Sequence, residues 1–158
     1  MRRVRARGVA LLLSLLLLAL LASLALLAMQ ATAMEWRITG NERNRVRALA
    51  AAEVGLTLGT NTLLRAAAGV LPPDIDPSDV PGIPDDGYRV DFADAGIDAD
   101  VARDSGGALS AKHFLVHSVG VASGGASADL EADILIVRNA AGIVVRAERS
   151  YWRRLDLD

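Results

Sequence analysis

Two histidines, His113 and His117, stand four positions apart, the spacing at which an α-helix brings two imidazoles to one metal ion. On a β-strand the same pair shares a face but is separated by roughly 13 Å, at about 3.3 Å per residue. The segment 113–121, HFLVHSVGV, is β-branched and apolar, so the strand reading prevails and two ordinary sheet histidines are expected. Carboxylates gather in two stretches, Asp74, Asp76 and Asp79, then Asp94, Asp98, Asp100 and Asp104. Either could offer oxygen ligands to Ca²⁺. Neither follows the EF-hand order of alternate acids, a glycine and a distal glutamate, and Pro77 stiffens the first. Solvated acidic loops are the expectation.

Nucleophilic chemistry finds no support. The chain has no Gly-x-Ser-x-Gly elbow, no Walker loop and no dinucleotide fingerprint, and Lys112 is its single lysine. Ser118, His113 and an aspartate form a triple of the kind any sequence offers. With no cysteine there is neither a disulfide nor a thiolate metal site. No catalytic residue, metal or cofactor is assigned. The net charge of −2 becomes −6 when the four arginines of the first eight residues are set aside, so no general nucleic-acid footprint exists.

The elements that would position such groups begin with the N-terminus. Val9 to Met29 is apolar apart from Ser14 and Ser23, about the length needed to cross a hydrocarbon core as a helix. Arg2, Arg3, Arg5 and Arg7 precede it, and no acid occurs before Glu35. A short basic flank stays cytoplasmic, so the remainder is expected to be translocated. Three readings stand. A secretory signal cleaved at Ala31-Thr32-Ala33 fits the small-x-small rule, although the apolar run exceeds a usual signal core. A plain single-pass anchor is the second. The third is a class III leader of residues 1–8 ending in Gly8 and cut before Val9.

Beyond the apolar run, Met34-Glu35-Trp36-Arg37 keeps high helix propensity and places Trp36 and Arg37 as interfacial anchors. Thr39-Gly40-Asn41-Glu42 then interrupts, with capping-box spacing from which a helix can restart. Val46, Leu49, Ala52, Leu56 and Leu63 recur as a helical stripe able to pack on a core. The alanines of 48–52 would let another helix approach closely. A helix from Val9 to Ala68 would be roughly 90 Å long at about 1.5 Å per residue. A secreted enzyme has no need of such an element; a subunit packing helix on helix in a filament does.

Arg7-Gly8-Val9-Ala10-Leu11-Leu12, the leucine run, Met34-Glu35, Thr39-Gly40-Asn41, Arg43-Asn44 and Ala51-Ala52-Glu53 together resemble the N-terminal region of PilX-type minor pilins. The resemblance covers residues 5–58. It implies cleavage between Gly8 and Val9 by a prepilin peptidase and methylation of the Val9 amine. It also implies an inner-membrane helix at 9–29 docking through Leu13, Leu16, Leu20 and Leu24, and a head in the periplasm, later in the pilus. The partners implied are other minor pilins and the major pilin. Most pilins carry a glutamate at the fifth residue after the cut, a position held here by Leu13. That departure resembles K-type pseudopilins and PilX-like subunits placed at or near a filament tip.

All five prolines fall between Pro72 and Pro84, among aspartates, and read as a loop closing the helix. Asp91 to Asp104 is polar and of no assigned structure. Strands are expected over Tyr88–Phe92, His113–Val121, Ala128–Arg138 and Ile143–Trp152, with turns at Ser123-Gly124-Gly125 and Asn139-Ala140-Ala141-Gly142. Arg146, Arg149, Arg153 and Arg154 read as a solvated strand face balanced by Glu148, Asp156 and Asp158, with a partner-binding edge as the alternative. The expected fold is α+β and pilin-like. A leader at 1–8 and a transmembrane helix at 9–29 precede an exported helix part at 30–68. A head at 69–158 follows, with about four antiparallel strands covered by Val46, Leu49, Leu56 and Leu63.

Overall fold

The computed structural model describes residues 2–83, 85–105 and 108–155, and of residues 2–8, Ala102 and Asp104 the backbone alone. The chain divides into two units, residues 1–41 and 42–158. Its elements in order are α1 (Arg2–Arg65), β1 (Ile75–Asp79), β2 (Gly87–Ile97), α2 (Ala99–Asp104), β3 (Leu109–Val121), β4 (Ser127–Asn139) and β5 (Val144–Leu155).

In the first unit every described side chain, from Val9 to Asn41, is exposed. The few hydroxyls there find partners within the helix. Ser14 donates to the Leu11 carbonyl at 2.8 Å, Ser23 to Ala19 at 2.8 Å and Thr32 to Ala28 at 3.0 Å. A helix meeting hydrocarbon must satisfy its polar groups this way, because lipid offers no partners. The expected break at Thr39–Glu42 does not occur, and the backbone is helical through these residues. Gly40 costs a helix interior roughly 1 kcal/mol relative to alanine, too little to end a run flanked by strong helix formers.

In the second unit the five strands form one sheet in the order β1-β2-β3-β4-β5, each pair antiparallel. The fold is α+β, with residues 48–63 of α1 packed on this sheet. One strand more than expected is present. Strand β1 arises inside the proline-rich stretch read as a loop, pairing Ile75 with Val90 and Ser78 with Tyr88 across an irregular register. Pro77 is compatible with β1 because β1 is an edge, where one side of the strand needs no ladder. The Asp74 carboxylate accepts the Phe92 N–H at 2.9 Å just before β1 begins. The unassigned stretch after Asp91 becomes the end of β2 and then α2. Asp98 caps α2 by accepting the N–H groups of Asp100 and Val101.

Helix α1 ends at Arg65 rather than Ala68. Ala66 N–H still bonds the Thr62 carbonyl, Gly69 then takes φ +78°, and Pro72-Pro73 preclude resumption. Arg138 on β4 closes the end by donating to the Ala66 carbonyl at 3.0 Å and to Gly142 at 3.1 Å. A guanidinium there meets the negative end of the helix dipole.

The main core joins Leu56 and Leu63 of α1 to Tyr88, Val90 and Phe92 of β2, Phe114 and Val116 of β3, and Leu130, Ile134 and Ile136 of β4. A smaller cluster joins Ala48 to Ala122 and Ala128. The buried stripe of α1 is Ala48, Ala51, Ala52, Gly55, Leu56, Gly59 and Leu63. Val46, expected among the packing residues, is instead 57% exposed, and Leu49 is half-buried against the core. The reason is angular. At about 100° per residue Val46 lies roughly 120° around the helix from Ala52, while Leu49, Leu56 and Leu63 lie within about 60° of it.

Close packing rests on small residues. A Cβ on Gly120 would stand 2.2 Å from the Ala48 carbonyl oxygen and 2.3 Å from the Ala52 nitrogen, both backbone atoms. A Cβ on Gly55 would stand 2.3 Å from Ser118 Oγ, and one on Gly59 2.7 Å from Val90. The alanine-dense turn expected to receive another helix therefore receives strand β3 of its own sheet.

Candidate functional site: an exposed apolar helix and the polar junctions of the head

Helix α1 from Val9 is long and apolar enough to cross a membrane. Leu13, Leu16, Leu20 and Leu24, the residues expected to dock, are all more than half exposed, as are Leu12, Leu15, Leu17 and Leu21 around them. A helix apolar on all sides is stable against lipid or against other helices, and not in water. Gly8 and Val9 fall within the helical backbone of α1, and Met1 lies outside the described residues.

The head carries its titratable groups in separate pairings. His113 Nδ1 is 2.8 Å from Asp133 Oδ2, and His113 Nε2 is 3.7 Å from Asp98 Oδ2. His117 Nδ1 faces Asp91 Oδ2 at 3.5 Å. Both histidines lie on β3 and point to the sheet face away from α1, each beside its own acids. Among the described residues no group of three or more histidines and carboxylates is arranged to hold a metal ion.

Four of the acids expected in solvated loops, Asp74, Asp94, Asp98 and Asp100, have structural partners. Asp74 accepts from Phe92 and Asp94 from Gly96, with Lys112 as its ion-pair partner. Asp98 caps α2, and Asp100 pairs with Arg103 at 3.5 Å. The side chain of Asp104 lies outside the described residues.

One polar residue that sequence reading did not single out organises the head. Asp86 is 1% exposed. Its Oδ2 accepts from Arg47 Nε of α1 at 2.9 Å, and its Oδ1 accepts the Ser123 N–H of the β3–β4 turn at 2.9 Å. Its own carbonyl accepts the Val80 N–H at 2.8 Å. Helix, edge-strand turn and central hairpin thus meet at one carboxylate. No local pattern announces this, because the partners are 39 and 37 residues away. Burial pushes the Asp86 carboxyl up, but the Ser123 N–H and the Arg47 guanidinium outweigh it and hold it below its usual range. A depressed carboxylate contributes stability above its unfolded value of 3.8 and loses it as pH falls through the folded value. Asp94, held down chiefly by Lys112, acts in the same direction. The head is therefore expected to lose stability over the acid range, as pH falls from neutrality through 3.8. Asp86→Asn should weaken it at neutral pH and flatten this acid limb, as measured by denaturation midpoints across that range.

With this geometry in place, comparison with known proteins adds one match. Residues 7–57 match the family described as PilX N-terminal. The chain carries a PilX-type pilin N-terminus. The match runs from the basic residue before Gly8, through the exposed apolar helix, to the Ala48–Leu56 stripe that packs on the sheet. It covers about a third of the chain, and every matched residue lies in α1. No curated protein and no solved structure matches the chain. A PilX-type N-terminus and a long apolar helix fit a membrane-anchored, type IV pilus-related pilin.

Proposed function

We propose that this protein is a minor pilin, a structural subunit that primes, assembles or modulates type IV pilus filaments. In this reading a prepilin peptidase cuts between Gly8 and Val9 and the new Val9 amine is methylated. The helix at 9–29 holds the subunit in the inner membrane with the head on the periplasmic side. On assembly the helix leaves lipid for a bundle with other minor pilins and the major pilin, where Leu13, Leu16, Leu20 and Leu24 exchange lipid contacts for helix contacts.

The observation that supports this best is the family match across residues 7–57, which includes the Gly8–Val9 junction and the whole apolar segment. A soluble enzyme has no use for a helix whose leucines face outward on every side. Leucine at position 13 removes the carboxylate that pilins use to meet a neighbouring N-terminal amine, which fits an initiating or priming role.

The test is the mature N-terminus of the full chain, expressed in a bacterial membrane with and without a prepilin peptidase and read by mass spectrometry. A peptide beginning at methylated Val9 is expected only when the peptidase is present. A soluble product beginning at Met34, or an intact Met1 despite the peptidase, overturns the reading.

A further inference from the structure

The two free edges of the head's sheet carry opposite charge. On β1, Asp76 and Asp79 are exposed, and Asp85 is exposed in the turn that follows. The cation nearest in sequence, Arg89, is drawn toward Asp91 at 3.3 Å. On β5, Arg146, Arg149, Arg153 and Arg154 face a single acid, Glu148, within the strand. Glu148 holds Arg146 at 2.6 Å, and Glu131 holds Arg153 at 2.8 Å. Arg149 is exposed and meets no carboxylate among the described residues.

Edge β5 is also apolar where it is basic. From Val145 to Arg153 it is exposed on both faces, a longer run than the five residues at the end of β2. Trp152 leaves 48% of its surface open. It lies opposite Ala132, with Arg149 opposite Ile134 and Arg154 opposite Leu130, so these three share one face of β5. At the other edge Pro77, Gly87, Tyr88, Arg89, Val119 and Val121 line a cleft of about 250 Å³, roomy enough for one aromatic ring. Asp79 pairs with Gly87 at its rim.

We propose that heads of neighbouring copies of this chain dock edge to edge. The Arg149–Trp152 face of β5 in one copy seats on the Asp76–Asp79 edge and the Pro77 cleft of the next. Pro77 offers no N–H, so side chains carry the contact and not an added strand. The two surfaces differ, so the contact is head-to-tail and repeats along a row instead of closing as a twofold dimer. It requires two copies in one membrane and does not depend on leader processing.

The chain has no cysteine, which makes engineered ones specific reporters. Ser78→Cys on β1 and Ser150→Cys on β5 are near-isosteric and leave every charge in place. The full-length chain carrying both, in membranes without other pilus proteins, is expected to give dimers and a ladder of larger species on mild oxidation. Each single variant should stay monomeric, and a mixture of the two singles should give dimers only. Trp152→Ala in the double variant, or salt of about 1 M where the screening length is about 3 Å, should lower the cross-linked fraction about tenfold. Dimers from either single variant, no ladder from the double, or a ladder unmoved by salt and by Trp152→Ala would each overturn the proposal.

Discussion

Replacing Gly120 by alanine is expected to cost the head roughly 3 kcal/mol or more, while the same change at Gly40 stabilises α1 by about 0.5–1 kcal/mol. One methyl group acts in opposite directions at the two sites. At Gly120 it meets the backbone of α1, 2.2 Å from the Ala48 oxygen and 2.3 Å from the Ala52 nitrogen. No rotamer relieves such a contact, so the helix must lift from β3. Lifting opens the Ala48–Ala122–Ala128 cluster and moves Ser118, whose buried hydroxyl donates to the Ala52 carbonyl at 2.8 Å. At Gly40 a methyl group meets nothing within 4 Å and only reduces the backbone entropy of the unfolded chain. Against a typical stability of about 5–15 kcal/mol, the Gly120 loss is a large fraction. Chemical denaturation of the full chain in detergent, followed by circular dichroism, reads both. A Gly120→Ala protein as stable as the parent would show that α1 and β3 do not meet this closely.

Leu63→Ala is the second large effect, an expected loss of about 2–5 kcal/mol. Leu63 is 1% exposed and is among the largest fully buried side chains of the head. Its removal leaves a cavity at the far end of the helix stripe from Gly120, where Arg138 ties Ala66 to β4. That tie limits how far the helix end can collapse into the space, which places the expected loss in the upper part of the range. Val46→Ser is the matched control. Val46 belongs to the stripe expected from the sequence but is exposed, and its substitution should stay within about 0.5 kcal/mol of the parent. Equal losses at the two positions would contradict the face of α1 described above.

These sites mark what sequence reading reached. The apolar run, the continuing helix, the turns and four of the strands follow from hydrophobic period and turn chemistry, which are local properties of 5 to 20 residues. The PilX-type signature also lies within one contiguous segment, so it was legible without any tertiary contact. The largest apolar residues of α1 do not by themselves mark its packing face, since Val46 is exposed. Burial energy favours large side chains, but the sheet's approach is set by where side chains are absent. Ala48, Gly55 and Gly59 could be recognised only with Gly120, Ser118 and Val90 beside them.

The residues themselves therefore determined a membrane-compatible helix, a PilX-type N-terminus and an antiparallel head, because each rests on a pattern repeated within one stretch of chain. Tertiary structure decided the rest. Strand β1 exists because β2 presents a free edge to a proline-rich segment with weak strand preference of its own. Asp86 becomes a junction because Arg47 and Ser123 come to it from elements remote in sequence. The acidic and basic edges became opposite ends of one surface only when the strand order fixed β1 and β5 as the outermost strands. Charge, burial and close approach between distant segments are properties of that arrangement, and no local window of the chain contains them.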